Sequence, residues 1–283
     1  MGYAQFNVNA HNTYTPITAI TAMLLAAGRG ERMRPLTDTC PKPLLQVQGK
    51  PLMQWPMEAL LRGGFGQLVV NTAWLGEQIE QTFLNSFMLQ PPSNIRKSLS
   101  KKEQFADVLH IRYSHEGRDF GAALETAGGI VRALPLLGEV FWVLAGDVFA
   151  PDFVFSQDSV MQFVASGMLA HLWLVPNPKH NLAGDFGLAA ASAIATSRRG
   201  LALNLPKDTL EPRHTFSTIA LYRKELFLPP WCAIAQGNTA GEKAALAPLL
   251  RKAMDQQRVS AEIYTGRWTD VGTPERLAQL NAE

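Results

Sequence analysis

Residues Leu24 to Leu44 read LLAAGRGERMRPLTDTCPKPL, an apolar run followed by a small glycine-bearing loop with Arg29, Arg32, Arg34 and Lys42. Gly28 and Gly30 allow the backbone to bend sharply and come close to a ligand. Exposed amides in such a turn grip phosphate oxygens, and the basic side chains supply the charge that phosphates neutralise. The chemistry indicated is the holding of an anion at the end of a strand. Pro41 and Pro43 fix the backbone on either side of Lys42, which makes its ammonium a positioned charge. Arg34 reads as a brace for the loop, Glu31 as a partner for a nearby arginine, and the Arg29 side chain as solvent-facing.

Two familiar phosphate-binding patterns fail here. A dinucleotide fingerprint needs a third glycine where Met33 stands, and Pro35 prevents a helix from starting there. A P-loop needs a Gly-Lys-Ser/Thr triplet, which the stretch lacks. A second chemical feature lies further along. The apolar run Val140 to Ala145 ends in Gly146-Asp147, and Asp147 is either a ligand-facing carboxylate or the cap of the next turn.

These residues need a frame. Strand-like runs at Ile17–Ala26, Gln67–Asn71, Val108–Ser114 and Val140–Ala145 alternate with helical patterns at Pro51–Gly63, Leu75–Leu84 and Glu125–Leu134. That alternation predicts an α/β fold, a Rossmann-like, mostly parallel sheet with helices on both faces. Ligands of such sheets sit beyond the carboxyl ends of the strands, where both the basic loop and Asp147 fall. Beyond Pro151 the pattern loosens. Strands are expected at Met168–Val175 and Thr215–Tyr222, helices at Lys243–Met254 and Pro274–Leu280, and an exposed insertion at Gln90–Lys102.

Composition narrows the class. The formal charge is +2, from 26 basic and 24 acidic residues, which argues against nucleic-acid binding or electrostatic membrane anchoring. No apolar run approaches the ~20 residues of a membrane span. Residues 1–16 lack a signal-peptide pattern and read as a flexible extension before a single domain at 17–283. Cys40 and Cys232, too few for a disulfide framework, read as free thiols in a reducing cytoplasm. The six histidines are scattered and read as structural or solvated.

The run from Leu24 to Pro35, with Pro41-Lys42-Pro43-Leu44 after it, resembles the signature of the sugar-1-phosphate nucleotidylyltransferases. Segments further along are similar to the uridylyltransferase branch: Asn71 to Gly76, Leu124 to Ile130, Gly184-Asp185-Phe186, Thr215-Phe216-Ser217 and Trp268 to Thr273. The resemblance implies the nucleotide-diphospho-sugar transferase fold, with a nucleotide-binding part at about 17–150 and a sugar-binding part at about 151–283. It implies that a sugar 1-phosphate attacks the α-phosphorus of UTP or another nucleoside triphosphate, with Mg2+ as cofactor.

Roles follow residue by residue from the resemblance. Ala26, Ala27, Gly28, Arg29 and Gly30 form the nucleotide-binding loop, and Arg32 pairs with the outer phosphates. Lys42 reaches the α-phosphate or the acceptor phosphate. Thr126, Ala127 and Gly128 lie against the base, and Asp185 and Gly187 meet the sugar. Asp147 and Asp270 hold the metal, with Asp270 otherwise a helix cap. Ala145 and Thr218 depart from the family pattern, where asparagine and glycine are usual, and Arg118–Ala123 adds residues ahead of the base-binding stretch.

Overall fold

The computed structural model describes residues 20–89, 108–190 and 199–282. The extension at 1–16 and the insertion at 90–102 fall outside these residues. The strands are β1 (Thr21–Leu25), β2 (Gln46–Val47), β3 (Lys50–Pro51), β4 (Gln67–Thr72), β5 (Ser86–Met88), β6 (Val108–His115) and β7 (Val140–Ala145). They continue as β8 (Val148–Phe149), β9 (Ala170–Val175), β10 (Phe186–Ala190), β11 (Arg199–Leu203), β12 (Arg213–Arg223), β13 (Val259–Ile263) and β14 (Thr269–Asp270). The helices are α1 (Gln54–Arg62), α2 (Gly76–Phe83), α3 (Glu116–Phe120), α4 (Glu125–Ala133), α5 (Gln157–Ser166), α6 (Leu246–Asp255) and α7 (Pro274–Ala282).

Ten strands form one mixed sheet in the order β10-β11-β13-β9-β12-β7-β1-β4-β6-β5. Seven run in one direction, and β5, β11 and β12 oppose them. The chain winds outward from β1 through β4 to β6, then crosses to β7 on the other side of β1. Such a reversal opens a crevice at the carboxyl ends of the strands it separates.

The near-continuous apolar runs of β1 and β7 follow from burial on both faces. Met23, Phe141 and Val143 pack with Ile130 and Val131 of α4 and Leu250 of α6. Leu24, Trp142 and Leu144 pack on the other face with Leu60 of α1, Ile79 of α2 and Phe163 of α5. A third, smaller core joins Met33, Val47 and Leu52 to Phe149, Val271 and Leu280. Met33 is fully buried in it, so the residue that spoils the dinucleotide fingerprint anchors the basic loop to the carboxy-terminal segment.

Most of the expected elements are present with shifted ends. The described part of the run 17–26 holds β1, which ends at Leu25, and the helix expected at 243–254 begins at Leu246. The irregular second half also contains α5, β10, β11 and β13, which the pattern did not predict. The Arg118–Ala123 stretch lies partly inside α3. Among the described residues no helix is long and apolar enough to cross a membrane. Cys40 and Cys232 are free thiols.

Candidate active site

Strand register brings the basic loop and Asp147 together. Leu25, the last residue of β1, pairs with Ala145 on one side and Asn71 on the other. The chain leaving β1 therefore runs beside Gly146-Asp147, and the Gly146 amide donates to Leu25 O at 2.8 Å. A Cβ at Gly146 would lie 2.8 Å from Leu24 Cδ2 and 2.9 Å from Leu25 O, so only glycine lets the two strand ends approach this closely.

The loop is stiffened at both ends. Asn71 Oδ1 accepts the Ala26 amide at 2.8 Å, and its Nδ2 donates to Glu116 Oε1 at 2.6 Å. Glu116 is fully buried and also accepts the Leu124 amide at 2.7 Å. Burial pushes its carboxyl up, and the bonds from Asn71 and Leu124 offset this only in part. Gly30 sits at φ +67, where glycine costs least, and its carbonyl accepts the Met33 amide and the Thr37 hydroxyl. Among the described residues the amides of Ala27, Gly28 and Gly30 donate to no protein acceptor, which leaves them for a ligand.

The Arg29 side chain does not face solvent. Its guanidinium stacks 3.8 Å over Trp74 and bonds Thr37 O and Asp38, each at 2.7 Å. A planar cation gains more from an aromatic face and two acceptors than from water. Arg34 bonds Asp38 at 2.8 Å and lies 3.6 Å from Glu31, the bracing role expected of it. These two arginines hold the Asp38 carboxyl below its usual range. Arg32 has neither hydrogen bond nor ion pair within the described residues and lines the cleft.

Lys42 is almost buried, and its Nζ lies 2.5 Å from Asp147 Oδ2. The Pro-flanked segment Lys42–Leu44 forms one 3-10 turn, which fixes where the side chain starts. Asp270 reaches the same region through the carboxy-terminal segment. It pairs with Val148 in the β8–β14 ladder, and the Val271 amide donates to Asp147 O at 2.9 Å. Arg276 Nη1 lies 2.5 Å from Asp270 Oδ2 and donates to its carbonyl at 2.9 Å. Asp270 Oδ1 is buried and accepts no hydrogen bond, although His180 Nε2 stands 2.8 Å away. His180 is thus not a solvated bystander.

The glycine loop, Lys42 and Asp147 open on one cleft of about 820 Å3, whose wall does not include Asp270 itself. Its lining includes Ala26, Ala27, Gly28, Gly30, Arg32, Lys42, Thr126, Asp147 and Asp185, and also Gly272 two residues beyond Asp270. Ala127 and Gly128 turn away from it. Both are buried, and their amides donate to Ala244 O at 2.9 and 3.1 Å, so they brace the 242–244 segment and leave Thr126 to face the cleft. Gly187 is also off the wall, packed so that a Cβ would lie 2.4 Å from Leu205 Cδ1. Asp185 faces the cleft while its Oδ2 accepts the Phe216 amide at 2.9 Å.

Sequence reading assigned no role to Asn71, Glu116, Phe186, Phe216, Tyr222 or Arg251, all of which line the cleft. A polar residue at the carboxyl end of the buried run QLVVN was the available signal for Asn71. The others depend on long-range placement.

The two aspartates suit a hard divalent cation. Mg2+ takes one or two carboxylates plus phosphate oxygens and water, and the carboxylates of Asp147, against Lys42, and Asp270, against Arg276 and His180, are oxygen donors of that type on adjoining segments. Among the described residues no cluster of three or more His, Cys, Asp or Glu competes as a metal site.

The Nucleotidyl transferase family model matches residues 21–198. N-acetylmuramate alpha-1-phosphate uridylyltransferase of Neisseria meningitidis serogroup B is 42% identical over 262 residues, 92% of this chain and 96% of that protein. The enzyme of the same name from Caulobacter vibrioides is 36% identical over 118 residues, 42% of this chain and 41% of that protein. A crystal structure of UDP-glucose pyrophosphorylase complexed with UDP-glucose shares the fold, with TM-score 0.67 and 14% identity over 93% of this chain and 97% of that one. This chain, with its glycine loop, Pro-flanked lysine and Asp147 at one crevice, belongs to the nucleotidyl transferase family of enzymes.

Proposed function

We propose that this protein transfers a uridylyl group from UTP to N-acetylmuramate 1-phosphate, giving UDP-N-acetylmuramate and pyrophosphate in peptidoglycan recycling. The identity shared with the Neisseria meningitidis enzyme along nearly the whole of both chains carries this reading. An oxygen of the sugar phosphate attacks the α-phosphorus, and the bond from that phosphorus to the bridging oxygen of pyrophosphate breaks. The acceptor is already an anion, so no general base is required. The enzyme's task is to hold two mutually repelling anions in line and to neutralise the spreading charge.

The residues divide that task. The free amides of Ala27, Gly28 and Gly30 bind triphosphate oxygens. Arg32, unpaired in the cleft, meets the outer phosphates and favours departure of pyrophosphate. Lys42 neutralises charge at the α-phosphate, exchanging its contact with Asp147 for one with phosphate. Thr126 lies along the base, and Asp185 meets the acceptor sugar. Asp147 and Asp270 would hold Mg2+, which when bound supplies positive charge to the phosphate oxygens.

The test is pyrophosphate release with Mg2+ from UTP, GTP or dTTP, each paired with a panel of sugar 1-phosphates. Release confined to UTP with N-acetylmuramate 1-phosphate supports the reading. Turnover of GTP with mannose 1-phosphate, or of dTTP with another hexose 1-phosphate, overturns the substrate assignment. Binding without release in every pairing points to a nucleotide-sugar sensor.

A further inference from the structure

Thr218 combines two unfavourable features on the cleft wall. It lies at φ +66, a left-handed backbone that crowds a β-branched side chain. Its Oγ1 is buried and has no hydrogen-bond partner. A buried hydroxyl without a partner is uncommon in a folded protein and calls for a physical reason. Strain and an unmet polar group at one position persist only where the surroundings over-determine the conformation, and such positions gather at ligand sites.

The surroundings of Thr218 do over-determine it. The β12–β9 register shifts between Phe216 and Ala220, so Thr218 lies in a bulge. Ser217, fully buried beside it, donates from Oγ to Trp173 O at 2.6 Å and accepts the Ile219 amide at 3.1 Å. The Ser217 carbonyl accepts Trp268 Nε1 at 3.1 Å, tying the bulge to the segment that carries Asp270. The bulge is therefore locked from both sides and re-aims one side chain at the cleft, a recurrent use of bulges. Thr218 is half-buried and lines the cleft beside Asp185, Phe186 and Phe216.

We infer that Thr218 is a specificity-determining residue for the acceptor: on binding, its hydroxyl turns about Cα–Cβ into the cleft and hydrogen-bonds a polar ring substituent, a hydroxyl or an amide, of the sugar 1-phosphate. The inference rests on the acceptor being a sugar phosphate, as proposed above. The partner missing in the free protein is then supplied by the ligand, and the strained backbone sets the reach of the hydroxyl.

Three variants test this. Thr218→Val keeps the branch and removes the hydroxyl; Thr218→Ser keeps the hydroxyl and removes the methyl; Thr218→Gly removes both the strain and the hydroxyl. Steady-state kinetics give the KM of each substrate, calorimetry gives N-acetylmuramate 1-phosphate binding, and thermal unfolding gives Tm. Thr218→Val is expected to raise acceptor KM and Kd about tenfold, the loss of one hydrogen bond, to leave the KM for UTP within about twofold, and to keep or raise Tm. Thr218→Ser restores acceptor binding to within about threefold of wild type. Thr218→Gly raises Tm and weakens acceptor binding.

An unchanged acceptor KM and Kd in Thr218→Val overturns the inference. So does an equal rise in both KM values with a fall in Tm, the signature of a merely structural residue. If the wild type turns over no sugar 1-phosphate, the proposed function fails by itself. The calorimetric comparison of wild type and Thr218→Val, made without turnover, then decides the role of Thr218: loss of acceptor binding in the variant supports it, and equal or absent binding in both proteins overturns it.

Discussion

The relay Glu116–Asn71–Ala26 makes a prediction that can be worked through. Asn71→Asp keeps Oδ1 as acceptor for the Ala26 amide but replaces the donor that meets Glu116 Oε1 at 2.6 Å with an oxygen. Two carboxylates at that separation cannot both be ionised, so the pair keeps one proton in the folded state. Holding a proton above the unfolded pKa of about 3.9 costs about 1.4 kcal/mol per pH unit. At pH 5 the cost is about 1.5 kcal/mol, and at pH 7 about 4 kcal/mol, a difference of about 2.7 kcal/mol. The sign follows from linkage. A carboxyl whose folded pKa is raised contributes stability that is full below the unfolded value and is lost as pH rises.

For a chain of this size 1 kcal/mol moves Tm by about 2 °C, so the variant should fall behind wild type by up to about 5 °C more at pH 7 than at pH 5. Wild-type Glu116, itself raised by burial, contributes the same sign, so about 5 °C is the upper bound of the difference, reached when the wild-type carboxyl, which accepts from both Asn71 and Leu124, is ionised at both pH values. Thermal unfolding followed by circular dichroism is the assay. An equal Tm deficit at pH 5 and pH 7 would refute the shared proton and the relay with it.

Three further outcomes are expected. Asp147→Asn should abolish pyrophosphate release with Tm within a few degrees of wild type, because the amide oxygen still accepts from nearly buried Lys42; near-normal turnover would remove Asp147 from the site. Lys42→Ala should lower kcat by roughly 10², the scale for losing one charge-stabilising group, and a change under threefold would contradict its role. His171 is fully buried, and burial pushes its imidazole below the usual value of about 6.5. The unfolded chain takes up the proton first, so stability falls as pH drops through 6.5, and His171→Gln should lose less stability between pH 8 and pH 5.5 in urea titrations.

How much of this was legible before the fold depends on the range of the forces involved. The runs QLVVN and VFWVLA announced β4 and β7 because strands buried on both faces must be apolar throughout. Gly63 and Gly64 ended α1 as helix-stop chemistry requires. The second half was harder to read. In β13, Ser260 and Glu262 point polar groups at His171 and Trp173 of β9, with Ser260 Oγ 2.8 Å from His171 Nδ1, so the polar residues are partnered across the sheet and blur the apolar pattern. For α5 a local sign existed: Ser156 Oγ accepts the Ser159 amide at 3.0 Å.

The same division runs through the cleft. Sequence alone determined which groups could bind phosphate: flexible glycines, a cluster of basic side chains and a lysine pinned by prolines are properties of a few adjacent residues. Tertiary structure decided which of them stay unpaired and face the cleft. Arg29 went to Trp74 and Asp38, the Ala127 and Gly128 amides went to Ala244, and Asp270 came beside Asp147 only through the two-residue ladder of β8 and β14. A side chain's nearest partner is set by packing across the whole chain, and an amide or a carboxylate satisfied from far away in sequence carries no local mark of it.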